Sequence, residues 1–334
     1  MTKISLTAAR DLAVRVLLAS GVSEPNAEPV ARGLVAAEAD GLSSHGLLRL
    51  PAYADQALVG KVDGLATAVV ERTATGTLRI DAKDGFAFPA IDLAVEEGAA
   101  LAEQAGIAGV AIHKSHHAGV LGRHVEAAAQ RGLVALAFTN SRSAIAPWGG
   151  KVPLFGTNPI AFAAPRRDRP PLVVDLSVSK VARGRVMVAH ARGEPIPGDW
   201  ALDAEGRPTT DAAAALAGTM LPFGDAKGAA LALVVEILAA ALTGSAFGFE
   251  TSSMFDAEGA PPRLGQLFVF VAPRRLAGEG FADRLEMLIS AVLAQPGTRL
   301  PGQRRLESRT RAEAEGIDIP PDLRADLERR AGLR

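Results

Sequence analysis

Apolar residues recur with a helical period over the first part of this 334-residue chain. Residues 7–20 predict an amphipathic helix that ends at Gly21, and a second helix opens at Ser23 and runs to Asp40. A third, short helix is predicted to begin near Ser44. Because three helices follow one another here without an intervening strand, the sequence predicts a helical subdomain at this end of the chain.

Short apolar runs and helical segments follow one another along the rest of the chain. The apolar runs predict strands at 68–71, 77–80, 107–112, 133–138, 160–164, 172–176 and 266–271. The periodic segments predict helices at 90–105, 120–130, 227–243 and 279–294, with two more in the charged tail from Gly302. Residues 227–243 are apolar enough to be buried on most sides, whereas Gly, Pro and Asp predict a long loop over 193–219. Since strands and helices do not alternate in regular βα units, we predict an α/β fold with a mixed, largely non-parallel sheet.

Composition narrows the class of protein. The net charge is −1 with 2 Trp and 1 Tyr, which argues against nucleic-acid and membrane-surface partners. There are no cysteines, so disulfides, thiolate nucleophiles and cysteine metal sites are excluded. Residues 1–4 lack the apolar segment of a signal peptide, and the longest apolar run, 229–242, is interrupted by Glu236 and too short to span a bilayer. We therefore expect a soluble cytoplasmic protein.

The most informative stretch is the six-residue segment from Ser44 to Arg49. On a helix, His45 and Arg49 at i and i+4 would stand on one face. A histidine titrates near neutrality and can exchange a proton, while an arginine fork can hold a carboxylate. The alternative is a solvated helix face. The apolar neighbours and Ser44, which could orient the ring, favour a site for an acidic substrate.

Other familiar sites are absent or ambiguous. No glycine-rich dinucleotide fingerprint, P-loop or serine nucleophile elbow occurs in a suitable context. Four of the six histidines are clustered: His113, His116, His117 and His124. They could form a metal site, supply a substrate-binding or proton-transfer histidine in the 115–119 loop, or hydrogen-bond backbone groups. Adjacent histidines rarely reach one ion, so we expect no metal.

Three further segments carry polar groups near predicted element ends. Lys227 and Gly228 open an apolar helix, where free N–H groups and a lysine would suit an anion, although Asp225 could be a plain N-cap. Thr157 and Asn158 form a turn before a buried strand, for which a structural role is the simpler interpretation. The segment 175–179 ends a buried strand in small hydroxyl residues, which suits either a ligand crevice or a turn.

Taken in order, these motifs resemble one family over residues 7–305. It is the malate/L-lactate dehydrogenase family of the second, non-Rossmann type, which includes sulfolactate dehydrogenases and reductases of cyclic imino acids. The motifs that carry the resemblance are Asp40, Gly41, Ser44, His45, Gly46, Arg49 and Tyr53; 115–119; Asn140 and 147–150; 155–161; Asp175, Ser179 and 182–184; and Lys227 with Gly228.

The resemblance implies a homodimer that binds NAD or NADP in an unusual mixed-sheet domain. It also implies three units. Residues 1–60 with 300–334 form a helical subdomain carrying the catalytic histidine, 61–124 with 261–299 form a small α/β domain, and 125–260 form the NAD(P)-binding domain.

The resemblance assigns roles to individual residues. His45 exchanges the proton with help from Ser44, and His117 is a second active-site histidine. The residues expected to bind a small carboxylate substrate are Arg49, His117, Thr157 and Asn158. Those expected to bind the cofactor are Asp175, Leu176, Ser177, Ser179, Lys227, Gly228, Gly302 and Arg304.

Two departures from the family pattern matter. In the segment 224–230, two bulky positions are alanine, which alters the start of the helix and bears on the cofactor. Arg185 stands where imine reductases tend to have an acid, which bears on the substrate. We therefore expect interconversion of a small 2-oxo acid and its 2-hydroxy acid. The alternatives are an NADPH-dependent reductase of cyclic 2-imino acids such as pyrroline-2-carboxylate and, from another class, a non-catalytic acid- or metal-binding protein that uses the histidine cluster. The sequence leaves the choice between NADH and NADPH open.

Overall fold

A computed structural model describes residues 3–333; Met1, Thr2 and Arg334, which the predicted helical subdomain includes, lie outside the described residues. The strands are β1 (Lys3–Ile4), β2 (Val69–Ala74), β3 (Thr77–Asp81), β4 (Ile107–Ser115), β5 (Val134–Thr139), β6 (Ile160–Arg166), β7 (Arg169–Leu176), β8 (Ala201–Leu202), β9 (Thr219–Met220), β10 (Leu264–Val271) and β11 (Ile317–Asp318). The α-helices are α1 (Leu6–Ala19), α2 (Glu24–Ala39), α3 (Leu50–Leu58), α4 (Ala87–Ala105), α5 (Leu121–Gln130), α6 (Arg183–Arg192), α7 (Ala212–Ala217), α8 (Ala226–Glu236), α9 (Pro273–Ala277), α10 (Phe281–Leu293), α11 (Gln303–Glu315) and α12 (Pro321–Arg330).

The central sheet has seven strands in the order β2-β3-β4-β10-β5-β6-β7. Only β3 and β4 run parallel, and the other neighbours are antiparallel. The predicted mixed, largely non-parallel sheet is therefore confirmed, and each of its seven strands was predicted. Helices α4 and α5 pack against this sheet and bury an apolar core that includes Phe268 and Phe270.

The two ends of the chain meet in a second, helical core. Helix α1 packs on α2 and α12, α11 packs on α2, and β1 pairs with β11. Ser5 caps α1 by accepting from the N–H of Ala8 at 3.2 Å, and Ser23 is the N-cap of α2 as predicted. The sheet continues from β10 to β5, and the predicted boundary between residues 124 and 125 falls inside α5. We retain the three-unit division as a proposal.

The prediction of one continuous helix that carries His45 and Arg49 is wrong. The structure has two 3-10 turns, Ser43–His45 and Leu47–Arg49, separated by an extended Gly46. The carboxylate of Glu38 in α2 causes the break, because it accepts from the N–H of Leu47 at 3.0 Å in place of a helical carbonyl. A Cβ on residue 46 would lie 2.2 Å from Glu38 Oε2 and 3.2 Å from the Glu38 backbone nitrogen, so a larger residue here would displace the carboxylate that binds Leu47.

Two other predictions differ from the structure. The stretch 193–219 includes β8, α7 and the start of β9, which are too short to give a periodic signal. Helix α8 continues as a π-helix over Ile237–Ala241, but it is not buried on most sides. One face exposes Leu233, Val234 and Ile237 by 47%, 45% and 49%. Among the described residues, no helix is long and apolar enough to cross a membrane.

A buried ion network ties the start of α11 to the rest of the molecule. Asp40, at the end of α2, and Glu126, in α5, are both nearly inaccessible to solvent. Arg309 reaches Asp40 at 2.7 Å and Glu126 at 2.9 Å, and Arg305 reaches Glu126 at 2.8 Å. Burial alone would raise the pKa of Glu126, but hydrogen bonds from Arg309 and Arg305 outweigh it and lower the pKa to about 2. The network therefore fixes the segment that begins at Gly302.

Candidate active site

One cleft of about 1290 Å³ collects most of the predicted site residues. It lies between the 3-10 turns after α2, the start of α5, the ends of β5 and β7, and the start of α11. The predicted residues that line it are Ser44, His45, Arg49, His117, Thr157, Asp175, Leu176, Ser177, Gly302 and Arg304. Residues 250 positions apart in sequence thus meet around one space, as a site for substrate and cofactor requires.

Arg49 is held in the cleft wall with part of its hydrogen-bonding capacity unused. Its Nε donates to the carbonyl oxygen of Ser44 at 2.8 Å, and its guanidinium lies 4.2 Å from the centroid of the Phe255 ring. Its Nη1 is buried without a hydrogen-bond partner. An unpaired buried donor is costly, so a substrate carboxylate is the natural partner for this fork.

His45 is positioned beside this arginine. Its Nδ1 lies 3.1 Å from the Oγ of Ser44, which orients the ring. Burial first, and the positive charge of Arg49 second, lower the pKa of His45 to about 4. The imidazole is therefore neutral near neutral pH and can accept a proton. A carboxylate on Arg49 would offset the second cause and raise the pKa again.

His117 stands against His45, with ring centroids 5.6 Å apart. Its Nδ1 lies 2.6 Å from the hydroxyl of Tyr53. Burial raises the pKa of Tyr53, so the phenol keeps its proton. Burial and the charge of Arg49 lower the pKa of His117 well below its usual value. A neutral His117 that accepts from Tyr53 at Nδ1 carries its own proton on Nε2.

Two other histidines of the cluster have structural contacts. His116 Nε2 is 2.7 Å from Gln56 Oε1, and burial lowers the pKa of His116 to about 3. His124 Nε2 donates to the carbonyl oxygen of Ala118 at 2.8 Å. Within residues 3–333, no group of three or more His, Asp or Glu side chains is arranged to hold a metal ion.

Four predicted residues do not line the cleft. Asn158 is buried and donates to Glu236 at 2.7 Å and to the carbonyl oxygen of Ala232 at 3.0 Å. Ser179 is buried and donates to the carbonyl oxygen of Val181 at 2.8 Å. Lys227 is exposed, and Gly228 packs against the backbone of the preceding turn. These four residues are therefore not part of the cleft wall.

Glu236 explains how Asn158 comes to be buried. This carboxylate is 3% exposed and also accepts from Asn140 at 3.2 Å and from the N–H of Gly248 at 2.7 Å. In the sequence, Glu236 only interrupts an apolar run. Its partners are distant in sequence, so no local pattern identifies it as the buried acceptor that joins them.

The opposite end of the cleft fits a dinucleotide. Asp175 at the end of β7 accepts from the N–H of Gly122 at 2.7 Å, and a Cβ on residue 122 would lie 2.8 Å from that side chain. Gly302 has φ +80, and a Cβ there would lie 3.2 Å from the carbonyl oxygen of Val173. Arg299 and Arg304 line the same end. Backbone that approaches this closely, together with arginines, suits ribose and phosphate groups.

Sequence reasoning missed the residue that holds Phe255 over Arg49. Lys61 is 2% exposed, and its Nζ donates to the carbonyl oxygens of Ser253 at 2.7 Å and Asp256 at 3.1 Å. These carbonyls belong to the loop that brings Phe255 into the cleft. No signal in the sequence connects Lys61 to a loop 190 residues later.

Replacement of this lysine tests that contact. In Lys61→Met the loop carbonyls lose a charged donor, which costs roughly 1–3 kcal/mol. We expect faster proteolysis within residues 251–260 and a several-fold higher KM for the carboxylate substrate. Lys83→Met, at an exposed lysine paired with Asp81, is the control. Equal proteolysis and KM in the two variants would contradict the role of Lys61.

The fold and the site define a class of protein: a mixed-sheet protein with a dinucleotide-sized cleft that contains a histidine and an arginine with an unpaired buried donor. A family model described as malate/L-lactate dehydrogenase matches residues 4–328. A (2R)-3-sulfolactate dehydrogenase (NADP(+)) of Chromohalobacter salexigens is 56% identical over 317 residues, 95% of this chain and 94% of that protein. The chain belongs to the malate/L-lactate dehydrogenase family, and the predicted resemblance is confirmed.

Imino acid reductases are also among the similar proteins. A Δ1-pyrroline-2-carboxylate/Δ1-piperideine-2-carboxylate reductase of Pseudomonas putida is 43% identical, over 96% of this chain and 94% of that protein. The crystal structure of Δ1-piperideine-2-carboxylate reductase from Pseudomonas syringae superimposes with a TM-score of 0.93 at 41% identity, over 100% of both chains. The chain is therefore an oxidoreductase of this family, as expected.

Proposed function

We propose that the protein is a nicotinamide-dependent oxidoreductase that interconverts a small 2-oxo acid and the corresponding 2-hydroxy acid. The observation that carries this proposal is the buried, unpaired Nη1 of Arg49 beside the neutral ring of His45. The pair offers a carboxylate grip and a proton acceptor to the same small molecule. The 56% identity to a sulfolactate dehydrogenase supports this class of substrate.

In the direction of oxidation, Arg49 holds the substrate carboxylate and His45 accepts the hydroxyl proton. If Nδ1–H donates to Ser44 Oγ, the Nε2 lone pair of His45 is free to take that proton. The electron pair of the O–H bond forms the carbonyl as the C2–H bond breaks. Bound nicotinamide supplies the acceptor for that hydride, and in reduction the donor.

His117 complements His45. Its Nε2–H, fixed by the hydrogen bond from Tyr53 to Nδ1, can donate to the substrate oxygen and stabilise charge that develops there. Its lowered pKa keeps it neutral, so it orients the substrate without competing for the proton.

The cofactor would lie along Asp175, Leu176 and Ser177 and reach Gly302 and Arg304. The name of the 56% identical relative specifies NADP(+), which favours NADP(H) over NAD(H) here. Thr157 would face the substrate from the cleft wall. Ser179, Lys227 and Gly228 would act from beside the cleft, and Asn158 would act through its bonds to Glu236.

A cytoplasmic location is part of the proposal, since the reaction draws on the nicotinamide pool.

A substrate panel tests the function. Purified protein is assayed with pyruvate, 3-sulfopyruvate and Δ1-pyrroline-2-carboxylate, each with NADH and with NADPH. We expect reduction of the 2-oxo acids, with NADPH preferred. Imine reduction far above ketone reduction would establish the second candidate function, which the 43% identity to an imino acid reductase favours. No nicotinamide-dependent activity at all would contradict both.

We further propose that the protein is a homodimer that buries the apolar face of α8. This face exposes Leu233, Val234 and Ile237, and exposed contiguous apolar residues mark interfaces. Light scattering should give twice the chain mass for the wild type and a monomer for Ile237→Glu. Leu288→Glu, at an exposed apolar position of α10, is the control. A wild-type monomer, or dissociation only in the control, would contradict the proposal.

A further inference from the structure

Two arginines in the cleft have no carboxylate partner. Arg142, which follows β5, and Arg183, at the start of α6, both line the cleft that contains His45 and Arg49. Within residues 3–333, neither forms an ion pair, and the hydrogen bond of Arg183 is to the carbonyl oxygen of Leu216 at 3.2 Å. By contrast, Arg305 in the same wall is neutralised by Glu126.

Both arginines face the same cleft, and each is within electrostatic reach of the other. Burial first, and the positive charge of Arg142 second, lower the pKa of Arg183. The backbone agrees with this proximity, because the N–H of Met220 donates to the carbonyl oxygen of Ala144 at 2.7 Å and so joins the segment after Arg142 to the segment that Arg183 contacts. Two neighbouring cations without a counter-ion repel each other, and an anion between them would relieve the repulsion.

This arginine pair belongs to the substrate end of the cleft. A Cβ on Gly184, the residue after Arg183, would lie 3.8 Å from the Cβ of Ser44. Ser44 in turn contacts His45 through its Oγ and Arg49 through its carbonyl oxygen. The first turn of α6 therefore borders the reacting groups. Arg299 and Arg304, near the start of α11, remain available for cofactor phosphates.

We propose that Arg142 and Arg183 bind a second anionic group of the substrate, a sulfonate or carboxylate on C3, while Arg49 binds the carboxylate on C1. This inference rests on the proposed function and assigns the two residues that would set its preference for a doubly anionic 2-oxo or 2-hydroxy acid. Planar guanidinium groups present paired donors that match the oxygens of a sulfonate or carboxylate.

The neighbouring Arg185 provides a matched control. Its guanidinium lies 4.9 Å from the centroid of the Trp200 ring, and the side chain is exposed and does not line the cleft. Arg185, which stands where imine reductases tend to have an acid, therefore points away from the cleft. Arg183, two residues earlier, is the arginine that faces the ligand space.

The test compares Arg142→Gln, Arg183→Gln and Arg185→Gln with 3-sulfopyruvate, oxaloacetate and pyruvate. We expect wild-type kcat/KM to be higher for the two dianions than for pyruvate. Each cleft variant should lower that preference roughly tenfold to hundredfold, mainly through KM, because a charge-assisted hydrogen bond is lost. Arg185→Gln should keep the wild-type preference. An unaltered preference in both cleft variants would overturn the inference while the 2-oxo acid activity stands.

Two further measurements separate the possible sources of the effect. If the cleft variants raise the KM for NADPH but not for NADH, with the dianion preference intact, the pair binds the cofactor 2′-phosphate and the inference is wrong.

Calorimetric titration of the protein with NADP+ and either 3-sulfolactate or lactate needs no turnover. Tighter binding of 3-sulfolactate that Arg183→Gln abolishes supports the inference even if no 2-oxo acid is reduced, and equal binding of the two acids overturns it.

Discussion

His45→Ala should lower turnover by roughly 10²–10⁴-fold, the usual contribution of a positioned general acid–base group. The variant removes the only neutral ring that both touches Ser44 and lies beside Arg49 among the described residues. Cofactor binding, measured by NADPH fluorescence, should remain, because the dinucleotide end of the cleft is separate. The measurement is kcat for reduction of the best 2-oxo acid and for oxidation of the corresponding 2-hydroxy acid.

The pH dependence makes this prediction specific to His45. The pKa of His45 is about 4 in the free protein, lowered by burial and by Arg49. Oxidation needs the deprotonated ring, so kcat/KM for the hydroxy acid should rise with pH through about 4 and then level. A bound carboxylate neutralises Arg49, so the apparent pKa in kcat should be higher than in kcat/KM. If His117→Ala, rather than His45→Ala, abolishes turnover and this pH dependence, the proton-exchange role belongs to His117.

Arg49→Met should lower kcat/KM by roughly 30- to 5000-fold, mostly through KM. The substrate carboxylate would lose its buried charged partner, a loss that typically costs about 2–5 kcal/mol. Arg49→Lys should recover only part of the loss, because a lysine keeps the charge but cannot bind a carboxylate through two parallel hydrogen bonds or retain the Nε bond to Ser44.

A stability measurement is needed beside the kinetics. Arg49 also packs on Phe255, so its replacement could disturb the loop rather than the carboxylate. Phe255→Leu removes the ring and leaves the guanidinium in place. If Phe255→Leu raises KM as much as Arg49→Met, while unfolding midpoints are equal, the effect belongs to packing and the carboxylate role is contradicted.

The sheet and the helices of the fold were predictable because their signals are local. A continuous apolar run identifies a strand such as β5, and Ser23 with the apolar stripe behind it identifies α2. Short elements were not predictable. The β8 strand has two residues and α7 has six, which is too few for an apolar period to be visible in the sequence. Contacts with other segments stabilise these elements.

Which residues meet in the cleft was predictable in part, but their geometry was not. His45, Arg49 and His117 do line one cleft. Their arrangement depends on Glu38, which breaks the expected helix, and on Tyr53, which contacts His117. These contacts come from separate elements, and a helical spacing rule contains no information about them.

The sequence by itself determined the family, the mixed sheet and the residue types that an acid substrate requires, because periodicity and short motifs are properties of neighbouring residues. Only the tertiary structure decided which of those residues share a space. It placed Lys227 at the surface and Asn158 on Glu236, and it lined one cleft with both Arg142 and Arg183. The physical reason is that burial, charge pairing and pKa depend on groups that the chain brings together from distant positions.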